Sequence, residues 1–182
     1  MRKIALIVIL LAAVNSFAVY FNAGFGVGSA STAIDGDDFD KRCENCSNIG
    51  VMLDFRVGGQ VSDRFWVAGV FEGVGNRYSN SDAFIQFNSY LFGPSVIFYP
   101  VDHFHLSAAL GMSWTANDTD ARGLDLYDGT GFAYSLTVGF DAGEHNGPLV
   151  GLKIYGSSVE LEHSKKDLST TAIGLFVAFV HK

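Results

Sequence analysis

Charge is scarce in this 182-residue chain: 17% of its residues are Asp, Glu, Lys or Arg, against about 25% in an ordinary soluble domain. Basic residues are scarcer still, 12 against 19 acidic ones, for a formal net charge of −7. With so little basic surface to meet a phosphate backbone, no nucleic-acid partner is expected. Proline occurs three times and cysteine twice, which excludes proline-rich, collagen-like and disulfide-scaffold classes. The excess is apolar: 48% hydrophobic and 14% aromatic residues, with 21 glycines. Such a chain buries ample apolar surface, so intrinsic disorder is excluded too. The length fits one domain. A mean hydropathy of +0.23 is high for a water-soluble protein and raises the question of a membrane.

Residues 1–18 read as a secretory signal peptide, with residues 19–182 as the mature domain. Arg2 and Lys3 form a short basic region, Ile4 to Val14 is an unbroken apolar run, and Asn15-Ser16-Phe17-Ala18 ends in a small-residue cleavage pattern. The run is too short for a bilayer-spanning helix, which needs about 20 residues. A second stretch, Ala83 to Val101, carries no charge. Yet Gly93-Pro94 in its middle breaks a helical ladder, and its Phe, Ile, Tyr and Val content favours a strand.

Beyond residue 18 apolar residues recur at every second position, the mark of strands with two unlike faces. Phe21, Ala23, Phe25 and Val27 alternate with Asn22, Gly24, Gly26 and Gly28. The same period runs through Ile49–Gly58, His105–Trp114 and Phe132–Asp141, and more weakly through Val150–Ile154 and Ile173–Phe179. Phe65–Phe71 is apolar on both parities and cannot be phased. Eight strands follow, near 20–29, 49–58, 64–77, 83–99, 104–115, 131–143, 149–160 and 170–181. Gly59–Asp63, Pro100–His103 and Glu144–Pro148 are short turns, whereas Ala30–Asn48, Ala116–Thr130 and Leu161–Ser169 are longer, polar and acidic. Tyr78–Asp82 is the short exception. Short turns at one end and long loops at the other are the layout of an outer-membrane barrel.

The contents of the two faces decide which one points inward. One face is mostly Gly, Ala, Ser and Asn; the other is Phe, Leu, Val, Tyr and Trp, too bulky to fill an eight-stranded interior. The apolar face therefore points outward, which only lipid tolerates. Charges sit singly on the small face at Asp54, Arg56, Asp141 and Lys153, with Glu72 if its strand is so phased. These five form the expected polar network of the lumen, because buried charges are costly unless paired. Aromatic residues gather near strand ends. Phe65, Trp66, Phe98, Tyr99, Phe104 and Phe140 fall at the turn end, and Tyr78, Trp114, Phe132 and Tyr134 towards the loop end. Trp66, Tyr99, Trp114 and Tyr134 are the expected interface aromatics. The expected fold is all-β, an antiparallel up-and-down eight-stranded transmembrane β-barrel.

From Val19 to Lys182 the chain resembles the small outer-membrane β-barrel proteins of Gram-negative bacteria, the eight-stranded OmpA/OmpX type. The resemblance rests on signal peptide, strand period and loop asymmetry rather than on a specific motif. It implies export to the periplasm, insertion into the outer membrane by the barrel-assembly machinery, contact with outer-membrane lipid and lipopolysaccharide, and a monomer that needs no cofactor. Family members usually finish on an aromatic residue; here Phe179 is followed by Val180-His181-Lys182.

Four constellations bear on chemistry. Cys43-Glu44-Asn45-Cys46 lacks the two further ligands of a zinc site and the βαβ setting of a redox motif; in an exported protein it reads as a loop disulfide, with free thiols as the alternative. The acidic clusters Asp35, Asp37, Asp38, Asp40 and Asp118, Asp120, Asp125, Asp128 match no EF-hand spacing and read as solvated loop surface, with no metal site. His105-Leu106-Ser107 resembles the pair of lipid A deacylase barrels but falls at the periplasmic end, and His163, Asp167 and Ser169 carry little spacing information. No catalytic residue is expected. The reading is a barrel with a packed polar lumen and a structural or surface-interaction role, such as envelope integrity or adhesion through an extracellular ligand of its loops. The alternatives are a soluble periplasmic or secreted binding barrel, and a lipid A-modifying outer-membrane enzyme. Mass spectrometry of the protein purified from membranes is expected to give Val19 as the first residue; a retained Met1 would exclude cleavage after Ala18.

Overall fold

A backbone laid in hydrocarbon has no water to pair its N–H and C=O groups, so a sheet survives there only if it closes on itself. The computed structural model, which describes residues 19–42, 46–79, 84–119 and 128–182, is such a sheet. Its strands are β1 (Val19–Ile34), β2 (Ser47–Ser62), β3 (Phe65–Ser79), β4 (Phe84–Phe98), β5 (Phe104–Thr119), β6 (Gly129–Asp141), β7 (Asn146–Leu161) and β8 (Asp167–His181). Each pairs antiparallel with the next, and β1 closes the barrel on β8 from Phe21↔His181 to Ile34↔Leu168. A two-residue extension, Asp37–Asp38, folds back on the end of β1, and Phe39–Arg42 is a 3₁₀ turn. No described helix is long and apolar enough to cross a membrane.

The apolar parity faces out. Phe25, Leu53, Met112 and Leu175 are 59%, 58%, 69% and 64% exposed, and comparable aliphatic or aromatic residues ring the barrel on every strand. Soluble monomers rarely show contiguous apolar patches beyond a few hundred Å². Here the apolar surface forms a continuous belt. On β5 it runs from Phe104 to Trp114, about 33 Å along the strand and about 25 Å in height at a tilt of about 40°, the span of a bilayer's apolar band.

Strand β3, which period alone leaves unphased, turns Trp66, Ala68, Val70, Glu72, Val74, Asn76 and Tyr78 inward and Val67 and Phe71 outward. Strand number and order agree with the sequence reading, but several strands run further. β1 continues through Ala30–Ile34 and β5 through Ala116–Thr119, both expected as loop. The physical reason lies in the belt: above the lipid the outer face meets water, so the ladder continues while the apolar period stops.

Gly93-Pro94 also finds its place. The β4–β5 pairing lapses between Phe92↔Met112 and Ser95↔Ala109, where Pro94 has no N–H to give. At this lapse Gly93 and Gly111 face each other, and a Cβ on Gly93 would run into the Leu110 carbonyl, one on Gly111 into that of Phe92. Both obstacles are backbone, so neither yields easily. Gly111→Val is therefore expected to destabilise the barrel by about 1–3 kcal/mol, read as a lower urea midpoint in vesicles. A midpoint equal to the unaltered protein's would show that the two strands are free to separate there.

Candidate functional site

The lumen is closed by chemistry that reaches from wall to wall. Asp54 and Arg56 lie two apart on the inner face of β2, Asp54 opposite Glu72 on β3, and Lys153 comes from β7 across the barrel. All four side chains are about 1% exposed. The Arg56 guanidinium donates to Asp54 from Nε at 3.1 Å and from Nη2 at 3.0 Å, and from Nη2 to Glu72 Oε1 at 2.7 Å. The Lys153 ammonium pairs with Asp54, and with Glu72 Oε1 at 2.9 Å, while sitting 4.8 Å over the Phe176 ring. Ser135 Oγ on β6 donates to the same Glu72 oxygen at 2.7 Å. Two cations against two anions make the strut neutral.

Upwards from the strut the lumen stays filled. Met52, Val74, Leu91 and Tyr155 pack in a central cluster, and Ser89 Oγ meets Tyr155 Oη at 2.8 Å and Ser157 Oγ at 2.9 Å, joining β4 to β7. Higher still, Asn76 Nδ2 donates to Tyr78 Oη at 2.9 Å and to Thr32 Oγ1 at 3.1 Å. At the loop end Ile34, Tyr78, Phe87 and Leu168 form an apolar layer. Phe39 drops onto it, its ring 5.0 Å from those of both Tyr78 and Phe87. Sequence reading missed this cap, although its signal is present. Asp35-Gly36, with φ of 52° and 83°, is the dipeptide of a tight hairpin turn whose two central residues need positive φ. That hairpin returns the chain over the barrel mouth.

The sequence-selected residues separate into groups. Asp54, Arg56, Glu72 and Lys153 meet in the strut. Asp141 stands apart near the turn end, 1% exposed, accepting from Tyr99 Oη at 2.8 Å and Lys182 Nζ at 2.7 Å. Trp114 and Tyr134 face outward, and Trp114 stacks with Tyr90 at 5.3 Å. The expectation that Trp66 and Tyr99 also face the lipid interface is corrected: they are 6% and 5% exposed and pack in the lumen floor with Tyr20, Leu149 and Phe176. Tyr78, placed on sequence among the loop-end aromatics, is likewise internal. Wide rings suit the floor because they fill a barrel end that small residues would leave open.

His105 and Ser107 share the inner face of β5, at 1% and 7% exposure. Ser107 Oγ has no hydrogen-bond partner and so receives none from His105, whose ring instead packs edge-on against Tyr99 at 5.3 Å. Cys46 packs partly buried against the loop-end layer; Cys43 and residues 1–18 lie outside the described residues. Asp120 and Asp125 lie outside them as well. Among the described residues no group of three or more His, Cys, Asp or Glu is arranged to hold a metal.

No family model and no curated protein matches the chain. Solved structures do. Ail, the attachment invasion locus protein of Yersinia pestis, in complex with the heparin analogue sucrose octasulfate, superposes with a TM-score of 0.58 at 16% identity, covering 88% of this chain and 99% of Ail. Neisserial surface protein A superposes at 0.54 with 13% identity, over 88% of this chain and 95% of its own. The fold is that of the small outer-membrane barrels. With the continuous apolar belt, it locates the chain in the bacterial outer membrane.

Removing one member of the strut leaves a charge buried without its partner. Arg56→Met is expected to cost about 3–5 kcal/mol, read from urea unfolding in vesicles. The double variant Glu72→Gln, Lys153→Met, which removes one charge of each sign, is expected to cost less than Arg56→Met. A double variant that costs more would show that the four charges do not act as a balanced set.

Proposed function

We propose that this protein is a closed, non-catalytic barrel whose work is done by the loops it holds at the cell surface, in surface contact, adhesion or envelope integrity. The observation that carries this reading is the lumen, crossed by the Asp54–Arg56–Glu72–Lys153 strut and capped by Phe39. Eight strands leave an interior that side chains just fill, so nothing soluble passes. The barrel is a monomer that meets outer-membrane lipid and lipopolysaccharide along its belt, is exported on residues 1–18 and is inserted by the barrel-assembly machinery. A Cys43–Cys46 bridge tightens its first loop.

Two alternatives lose support. A soluble binding barrel would keep its apolar face and a cavity inside, whereas here the apolar face is outside and the interior is occupied. A lipid A-modifying enzyme would need His105 and Ser107 within reach of the outer leaflet, yet both are buried near the opposite end.

The loop end differs in charge from what a sulfated ligand requires. Asp35, Asp37, Asp38, Asp40, Asp118, Asp128, Glu160, Glu162 and Asp167 outnumber Lys41, Arg42, Arg77, Lys165 and Lys166 among the described residues there. Like charges repel across such a surface, so a ligand of the heparin-analogue kind is disfavoured and a cationic partner is favoured. Two measurements test the proposal. Planar-bilayer recording of the purified protein is expected to show no steady conductance, and large stable steps would overturn the closed lumen. The folded protein is expected to pass unretained through a heparin column in about 0.15 M salt, where surface charge still acts over about 8 Å. Retention there would overturn the cationic-partner reading.

A further inference from the structure

The turn end of the barrel carries a concave cup of about 460 Å³ that neither the filled lumen nor the surface loops explain. That volume lies within the range of small-molecule sites. Trp66 and Tyr99 line it together with Asp63, Asp102, Glu144 and Lys182. Short turns mark this end as periplasmic.

A seat for an alkylammonium is already built beside the cup. The Asp141 carboxylate, 1% exposed, accepts hydrogen bonds from Tyr99 Oη at 2.8 Å and from the Gly143 N–H at 3.1 Å, which fix its direction. Lys182 Nζ donates to Asp141 Oδ2 at 2.7 Å and lies 4.1 Å over the Tyr99 ring. A desolvated carboxylate beside an aromatic face is the combination that holds an ammonium group, by a charge-assisted hydrogen bond on one side and the ring quadrupole on the other. Here the chain fills the seat with its own lysine. Around the seat, Asp63, Asp102 and Glu144 are exposed and make no ion pair among the described residues. Arg64 is the one fixed cation of the cup not matched to a carboxylate, its Nη1 donating to the Pro100 carbonyl at 2.6 Å. With Lys182 and Asp141 cancelling, the cup is left acidic.

We propose that this cup binds aliphatic diamines and polyamines from the periplasm. One ammonium takes the place of Lys182 between Asp141 and Tyr99, and the next pairs with the rim carboxylates of Asp102 and Glu144. Lys182 is then a built-in competitor: the competent state is the one in which its side chain has swung out, and apparent affinity falls in proportion to that state's population. The chemistry selects ligands with at least two ammonium groups on a flexible chain, because a single ammonium only exchanges with the lysine already there.

Trp66 reports on the site directly. In a Trp114→Phe background it is the single tryptophan, and its fluorescence is followed in the detergent-folded barrel during titration with putrescine, spermidine and n-butylamine. Heat-modifiable gel migration checks that each variant is folded. Putrescine and spermidine are expected to bind, more weakly in high salt, and Lys182→Gln is expected to tighten both by roughly tenfold. The pair Asp102→Asn, Glu144→Gln, which leaves the seat intact, is expected to weaken them roughly threefold or more. The proposal is overturned if folded Lys182→Gln binds no tighter than the unaltered chain, if neither amine binds, or if n-butylamine binds as well as putrescine.

Discussion

The requirement that every backbone N–H and C=O be paired inside hydrocarbon governs the whole molecule. It forces the sheet to close, and closure divides the side chains of each strand between lipid and lumen. From that division follow the composition, the scarcity of charge and the concentration of polar chemistry in a narrow interior. A chain with an ordinary share of charge would have nowhere to put it. The few charges within the belt's height gather where they neutralise one another, and the remainder stay at the rims.

The lumen strut is best understood through register rather than stability. Replacing a buried ion network by well-packed apolar groups is often neutral or stabilising. What such a network supplies is discrimination between neighbouring arrangements. A slip of β2 by one residue would turn Asp54 and Arg56 out into the belt, and an Arg near the bilayer midplane costs about 2–4 kcal/mol. It would also leave Lys153 and Glu72 facing Leu53 and Phe55. The pairing Asp54↔Glu72 thus holds β2 and β3 in one alignment, and Lys153 ties that pair to the opposite wall.

Much of this architecture was legible in the chain itself, because a lipid-facing strand must keep its apolar period without lapse. That constraint makes the strand count, the inward face and three members of the strut, Asp54, Arg56 and Lys153, readable from residues alone, while Glu72 depends on the phase of β3, which its doubly apolar start hides. It weakens at both ends of the barrel, where the errors fall. Trp66 and Tyr99 are large and apolar, so composition placed them in the lipid interface, but the lumen floor accepts the same residues for a different reason. Above the belt, the continuation of β1 through Ala30–Ile34 leaves no period to read, since its outer face is wetted. The Phe39 cap depends on a hairpin whose Asp35-Gly36 signal lies within a run of acidic residues that reads as solvated loop surface. The meeting of Asp141 with Lys182 and Tyr99 joins residues 41 and 42 positions apart, a distance no local pattern spans.

The strands that outrun the lipid have a mechanical consequence. On β4 the outward residues above Tyr90 are Asn88, Gln86 and Phe84, with Gln86 Nε2 donating to Asn88 Oδ1 at 2.8 Å along the outer wall. This segment lifts the rim about 15 Å above the aromatic level of Tyr90 and Trp114, taking about 3.3 Å per residue and a tilt of about 40°. The loops are therefore mounted on a rigid collar rather than rooted at the membrane surface. A collar of that height keeps the upper ends of the strands, and the last ladder hydrogen bonds they carry, clear of the lipid headgroups.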